Sequence, residues 1–155
     1  MGCGSGIQAL NLLFNGAGKV LAADVNEKAL HATKMNCEAA GFGKKIRAKK
    51  SNLFKSISGE FDLIVFNPPY IPTPKNETTF NDLDGGKKGR EVLDRFLLQM
   101  PRHLKKGGAC YFLQTDLNGT GETERKLGEL KMGFEIAARK KLFFEELLVY
   151  RAWKE

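Results

Sequence analysis

Histidine is almost missing from this sequence and cysteine is sparse. His31 and His103 are the only imidazoles, and Cys3, Cys37 and Cys110 stand far apart with no Cys-x-x-Cys pair. A histidine-rich metal site cannot be built from such a chain, and no metal site is expected. An odd number of dispersed thiols is not a disulfide framework; they read as reduced cysteines of a cytosolic, cytoplasmic protein. Long apolar runs are lacking as well, since none approaches the ~18–20 residues that cross a bilayer. The opening Met1-Gly2-Cys3-Gly4-Ser5-Gly6 has neither the basic nor the apolar region of a secretion signal. Repeats and linkers are absent.

What remains has the balance of one folded domain spanning 1–155, with 42% apolar and 28% charged residues. Lys and Arg exceed Asp and Glu by 25 − 18 = 7. A surplus of that size allows RNA or an acidic partner without requiring either. The basic pairs Lys44-Lys45, Lys49-Lys50, Lys105-Lys106 and the run Arg139-Lys140-Lys141 read as solvated faces. So does Lys87-Lys88-Gly89-Arg90, although it flanks a long loop and could meet RNA or an acidic protein.

Short β-rich runs alternate with segments of helical period. Ile7–Phe14 reads as a helix ending near Asn15-Gly16, and Lys19–Val25 as a buried parallel strand. Asn26 can cap a helix that runs to about Ala40 and stops at Gly41, with Leu30, Thr33, Cys37 and Ala40 on one face. Ile46–Lys49 is a brief strand and Phe61–Phe66 a clear one, ended by Pro68-Pro69. Residues 71–88 read as a long surface loop of the kind that is usually functional. A second amphipathic helix is expected from about Gly89 to Leu104, kinked at Pro101 and ended by Gly107-Gly108. Then come a strand at Ala109–Gln114, a weaker helix at Glu122–Met132, and strands at Phe134–Ala138 and Leu147–Trp153. The order implies an α/β sandwich around a mostly parallel sheet.

Three features carry chemistry. Gly2-x-Gly4-x-Gly6 opens directly into a helix, where glycines let backbone approach a ligand and the first helical amides are unpaired. Glycine-rich turns before helices are common, so this alone says little. Asp24 follows at the carboxyl end of the next strand, ~20 residues on, where an acidic residue can bind ribose hydroxyls; the plain alternative is a helix N-terminal charge beside Asn26. Asn67-Pro68-Pro69-Tyr70 ends a strand at the edge where open α/β sheets hold ligands. A rigid turn needs neither two prolines nor an amide, and Asn fits poorly at a buried strand end without a partner. The Asn67 amide oxygen and the Pro68 carbonyl could accept both hydrogens of a planar NH2 group, with Tyr70 over its face.

Together these residues resemble the class I S-adenosylmethionine-dependent methyltransferases, which modify nitrogen in planar amides or bases. Asn67–Thr73 (NPPYIPT), Asp84–Phe96 (DGGKKGREVLDRF) and the following LKKGG are similar to the HemK-type protein-glutamine methyltransferases, nearest their archaeal/eukaryotic release-factor branch. The resemblance spans essentially the whole chain. It implies a Rossmann-like sandwich, mostly parallel, with an antiparallel C-terminal strand. It implies S-adenosyl-L-methionine as cofactor, bound by Gly2, Gly4, Gly6, Asp24, Val25, Asn52, Leu53 and Asn67. Asn52 stands where the family usually has Asp, and could still accept the adenine amino hydrogen through its amide oxygen. Asn67, Pro68 and Tyr70 are the implied catalytic group, and with Pro69 they hold the acceptor. Asn-Pro-Pro-Tyr does not by itself separate glutamine from adenine, but Gly85–Glu91 (GGKKGRE) tilts towards glutamine.

The implied activity is N5-methylation of a glutamine in a class I peptide-chain release factor, with a small zinc-binding activator protein as a partner. Adenine-N6 or guanine-N2 methylation of DNA or RNA is the alternative enzyme reading, weakened by the lack of an appended nucleic-acid-binding domain; a non-catalytic truncated methyltransferase fold is the other. The truncation is suggested by a departure from the family pattern. That pattern begins with an acidic residue at the end of a first, central strand, and here Met1 follows where that residue would be. The strand is thus expected to be missing, or replaced by another segment, leaving its neighbours with unpaired edges. A continuous central sheet built from these residues alone would contradict that expectation.

Overall fold

The computed structural model describes residues 1–72 and 84–154, and the chain divides into two units, Met1–Ser58 and Gly59–Glu155. The first contains α1 (Ile7–Phe14), β1 (Val20–Asp24), α2 (Glu27–Ala39) and β2 (Ile46–Lys50). Asn26 starts α2 as its sequence position suggested: its side chain accepts the Lys28 amide at 3.0 Å, satisfying one of the helix's otherwise unpaired donors. Thr33 and Cys37 are the buried residues of α2. Cys37 joins Ala9, Leu13, Ala22 and Ile46 in a small core that Cys3, Leu10, Val20 and Phe42 partly cover. β1 and β2 run parallel, from Val20 opposite Ile46 to Asp24 opposite Lys50. Beyond Ile46, β2 is exposed and basic, and Lys50 is held by Glu27 at 2.8 Å.

The second unit holds β3 (Phe61–Phe66), α3 (Glu91–Gln99), β4 (Leu104–Thr115), α4 (Thr120–Glu129), β5 (Met132–Lys141) and β6 (Glu146–Lys154). Its four strands lie in the order β3-β4-β6-β5. β3 is parallel to β4, while β6 is antiparallel to both β4 and β5. Strand alternation sends Cys110, Phe112 and Gln114 to one face, all fully buried or nearly so. Phe96 of α3 meets Phe66 at a ring separation of 4.6 Å, and Phe112 stacks on Tyr150 at 5.3 Å. Fully burying such side chains contributes ~1.5–3 kcal/mol each, so this aromatic column anchors α3 on the sheet. The Tyr150 hydroxyl donates to Glu124 at 3.0 Å, which gives its polar tip a partner on α4.

Several boundaries differ from the sequence-based expectation. The helix expected to reach Leu104 ends at Gln99, continues as a 3-10 turn over Met100–His103, and Leu104 already belongs to β4. Pro101 has no amide to give an α-helical ladder, so the last turn tightens instead of kinking. Gly107-Gly108 does not end an element but lies inside β4. Phe61 pairs with Leu104 and Leu63 with Ala109, so residues 105–108 bulge. A Cβ on Gly108 would sit 3.0 Å from the Asp62 and Lys105 carbonyl oxygens, which explains why glycine is there. α4 runs from Thr120 to Glu129, earlier than expected, because Lys131 takes a left-handed φ of 54° and turns the chain directly into β5.

β1 pairs only with β2, and β3 only with β4, so the parallel strands form two sheets and no continuous central one among the described residues. Among the described residues no helix is long and apolar enough to cross a membrane. Of the expected loop at 71–88, residues 73–83 fall outside the described residues; Ile71 and Asp84 form an isolated parallel bridge.

Candidate functional site

The residues singled out from sequence form two groups, one in each unit. In the first unit the glycine loop adopts the backbone its composition suggested: Gly2, Gly4 and Gly6 have φ of 61°, 51° and 88°, values that L side chains rarely take. Gly6 also has no room for a Cβ, which would meet Thr33 at 3.0 Å, whereas Gly4 faces open space. Polar contacts tie the loop to its surroundings. The Thr33 hydroxyl donates to the Gly4 carbonyl at 3.1 Å, Asn36 Nδ2 donates to the Ser5 carbonyl at 2.8 Å, and the Cys3 amide donates to the Ala23 carbonyl at 3.2 Å.

Asp24 stands at the carboxyl end of β1 with its carboxylate turned to this loop. Oδ2 accepts the Gly4 amide at 3.1 Å and Oδ1 accepts the Asn26 amide at 2.9 Å. Each carboxylate oxygen carries a second lone pair, so acceptor capacity remains for two vicinal hydroxyls. Val25 beside it is 55% exposed. At the end of β2, the Ser51 amide donates to the Asp24 carbonyl at 2.9 Å and brings Asn52-Leu53 to the same end of the unit. Asn52 is exposed and Leu53 buried. Leu53 is held at a φ of 50°; the buried Ser51 hydroxyl donates to its carbonyl at 2.7 Å and accepts the Ser56 amide at 3.0 Å, stabilising that strained turn. A glycine loop with Gly2 and Gly4 exposed, a carboxylate with spare acceptor sites, an exposed valine and an amide at adjoining strand ends fit a ribose-bearing, adenine-containing cofactor. Cys3 is half-buried and packs on the unit's core; burial raises its thiol pKa despite the Thr33 hydrogen bond, so it is not a reactive thiolate.

In the second unit Asn67-Pro68-Pro69-Tyr70 leaves the carboxyl end of β3. Pro68 is buried, Pro69 and Tyr70 are half-buried, and Asn67 is exposed. Asn67 is thus exposed at the strand end, not buried there as expected from the sequence. Its amide has no hydrogen-bond partner among the described residues, and it stands at a ladder's end ahead of two prolines.

Residues that the sequence reading passed over hold this turn. Asn118, buried in a 3-10 turn over Asp116–Asn118, donates through Nδ2 to the Tyr70 carbonyl at 2.9 Å and to the Lys88 carbonyl at 3.3 Å. Its Oδ1 accepts the Thr115 amide and hydroxyl at 3.2 and 3.1 Å. Gly89 packs so tightly that a Cβ would lie 2.2 Å from the Tyr70 oxygen. The Gly85–Glu91 stretch therefore clamps the Asn-Pro-Pro-Tyr turn, with the Gly85 amide donating to the Ile71 carbonyl and the Gly86 amide to Asp84 Oδ1.

Arg90, read from sequence as part of a solvated basic run, is only 3% exposed. Its guanidinium donates to the Asn118 and Gly119 carbonyls, to the Thr123 hydroxyl and to Asp94, whose Oδ1 lies 2.7 Å away. Lys126 reaches the same carboxylate at 2.9 Å. Burial opposes ionisation of Asp94, but the hydrogen bonds and charges of Arg90 and Lys126 outweigh it and hold the carboxyl below its ordinary range. No spacing rule announces such a network; the one legible signal was the glycine pair followed by Gly89, which marks a close backbone approach.

Comparison with known proteins gives this arrangement its relatives. The model of the methyltransferase small domain matches residues 1–143. A Methanocaldococcus jannaschii protein provisionally named a protein N5-glutamine methyltransferase is 42% identical over 99% of this chain and 79% of its own length. The release factor glutamine methyltransferase of Chlorobaculum tepidum is 32% identical over 83% of this chain, which spans only 48% of that longer protein. Among solved structures, the E. cuniculi Mtq2–Trm112 complex responsible for methylating the eRF1 translation termination factor superposes with a TM-score of 0.76, at 27% identity, over 99% of this chain and 81% of the matched one.

Proposed function

Because this chain belongs to the methyltransferase small domain family and, within it, to the protein glutamine methyltransferases, we propose that it is an S-adenosylmethionine-dependent enzyme that methylates the N5 nitrogen of a glutamine side chain in a class I release factor. The two units then act as one methyltransferase domain. The observation that carries this reading is the exposed Asn67 amide at the end of β3, uncommitted among the described residues, on a turn that Asn118 and Gly89 hold rigid.

S-adenosylmethionine supplies a methyl group on a positively charged sulfur. Gly2, Gly4 and Gly6 would offer it close-lying backbone, Asp24 would accept its ribose hydroxyls, Val25 and Leu53 would give apolar contact, and Asn52 would accept from the adenine amino group. A glutamine amide nitrogen is a poor nucleophile because its lone pair is delocalised into the carbonyl. Asn67 Oδ1 and the Pro68 carbonyl accept its two N–H groups, favouring pyramidal nitrogen and the gain of electron density there. Tyr70 would cover the amide plane, and Asn67 would serve the cofactor as well as the acceptor. Attack in line at ~3–3.5 Å is then a matter of positioning rather than of a strong base, which suits a chain with two histidines. As the nitrogen–carbon bond forms the methyl–sulfur bond would break, leaving a neutral thioether, and the nitrogen would release one hydrogen to solvent as the product departs.

A small activator protein, of the zinc-binding kind, is a proposed partner; support comes from the likeness to Mtq2, solved with Trm112. The test combines two measurements on Asn67→Ala. Methyl transfer to the release factor is expected to vanish while S-adenosylmethionine affinity by isothermal titration stays within a few-fold. Unchanged turnover would reject the assignment of Asn67. Labelling of nucleic acid instead of the release factor by the unaltered protein would turn the reading to base methylation, and no cofactor binding at all would mean a non-catalytic fold.

A further inference from the structure

The hairpin joining β5 to β6 ends in two aromatic residues that nothing in the proposed chemistry uses. Phe143 is 92% exposed and Phe144 85% exposed. The rings pack on each other edge to face, with centroids 4.7 Å apart at 79°. The tip is not a loose loop. The Leu142 amide donates to the Glu145 carbonyl at 2.8 Å, and Arg139 pairs with Glu146 across the hairpin at 3.2 Å. Lys140 and Lys141 beside it are exposed and have no ion-pair partner among the described residues.

Position gives the tip its meaning. β6 is antiparallel to β4, with Leu147 opposite Thr115, so the hairpin projects beyond the carboxyl end of β4. That is also the end at which parallel β3 delivers Asn67. The two are joined through three consecutive residues. Asn118 holds the Tyr70 carbonyl, and Asp116 Oδ1 accepts the Glu146 amide at 3.0 Å, at the root of the tip. Leu117 between them is itself 64% exposed. The acceptor turn and the aromatic tip are therefore one braced edge of the second unit, with the exposed Leu117 between its two anchors.

We propose that Phe143, Phe144 and Leu117 form a docking knob for the methyl-acceptor protein, entering an apolar hollow on its surface whose rim is acidic and faces Lys140 and Lys141. This rests on the reading that the acceptor is a protein glutamine. A macromolecule delivering one side chain to Asn67 must cover the same edge of the sheet, and burying two rigid phenyl rings adds affinity at little conformational cost. Single-stranded nucleic acid fits less well, because stacking platforms present separated ring faces to successive bases, whereas these rings are closed on each other as a single knob.

The test compares the full chain with its Phe143→Ser/Phe144→Ser variant on two substrates: intact class I release factor and a short synthetic peptide centred on the acceptor glutamine. The variant should lose at least tenfold in kcat/KM on the intact factor, through KM, and nothing on the peptide. Phe144→Trp should keep most of the activity. Direct binding of fluorescently labelled release factor, read by anisotropy, should weaken in parallel. Equal losses on both substrates, or none on the intact factor, would overturn the knob. So would binding to anionic vesicles or to a single-stranded RNA that the variant loses while its methyl transfer stands. If the unaltered chain binds the factor through the knob but methylates neither substrate, the glutamine reading fails and the docking surface survives; if it does not bind the factor, the docking surface fails.

Discussion

Truncating Asn118 to alanine is the sharpest probe of how the acceptor turn is held. Asn118 is 2% exposed and uses all four of its hydrogen-bonding positions, towards Tyr70, Lys88 and twice towards Thr115. Thr115 is 1% exposed, so its amide would be left buried with no replacement, at a cost of ~1–3 kcal/mol. The Tyr70 and Lys88 carbonyls lie nearer the surface and can turn to water, which adds little. The expected loss of stability is ~1–3 kcal/mol, or roughly 2–12 °C in melting temperature for a chain of this size. The effect on turnover should be larger than stability alone explains, because a displacement of ~1 Å at a positioned group can cost ~100-fold in rate. Assayed well below its melting temperature, Asn118→Ala should lose ten- to a hundred-fold in kcat, about the range for a mispositioned group, with cofactor affinity unchanged. Asn118→Asp separates the two roles. It keeps acceptors for Thr115 but turns an oxygen towards the Tyr70 carbonyl, so it should recover no turnover. Normal kcat in either variant would refute the idea that Asn118 positions this turn.

Two further outcomes follow from the same network. Folding favours the ionised form of Asp94, whose pKa lies below its ordinary 3.8 because Arg90 and Lys126 outweigh burial. The stability it contributes is complete above that value and is lost as pH falls through the lower folded one. Urea midpoints followed from about pH 5 downwards should therefore fall less steeply for Asp94→Asn than for the unaltered chain; identical slopes would show that the carboxylate is not coupled to folding. Glycine substitutions provide a paired test of strain against collision. Gly4→Ala meets only an unfavourable φ of 51° in open space, a cost of ~1–2 kcal/mol. Gly89→Ala adds a Cβ 2.2 Å from the Tyr70 oxygen and 2.4 Å from Asn118 Nδ2, and should cost at least twice as much by urea denaturation. Equal costs would mean that the clamp on Tyr70 can give way freely.

How far these features could be read in advance depended on whether their cause is local. Asn26, the strand runs of β1 and β3, and α1 were legible because a cap, a β-rich run and a helical stripe each act within a few residues. The segment from Gln99 to Gly108 was misread because its fate rests on pairing. Leu104 carries on the apolar stripe of α3, yet its backbone bonds to Phe61, forty-odd residues away, and that choice is invisible to periodicity. Arg90 failed for a related reason: a basic run normally lies in water, and only the approach of Asn118, Thr123 and Asp94 makes a buried guanidinium affordable.

By itself the order of residues determined which groups are offered for chemistry: glycines where backbone turns left-handed, a carboxylate one strand later, and an amide ahead of two prolines. Those choices are set by the conformations and donor groups of individual residue types, which any neighbour must accept. Tertiary structure alone decided which remote groups brace them. Asn118 under the Tyr70 carbonyl, Gly89 pressed against the same oxygen, Arg90 withdrawn from solvent and a pair of phenylalanines lifted into it all depend on strands and turns far apart in sequence meeting at one edge, and the free energy of those meetings is written in no single segment.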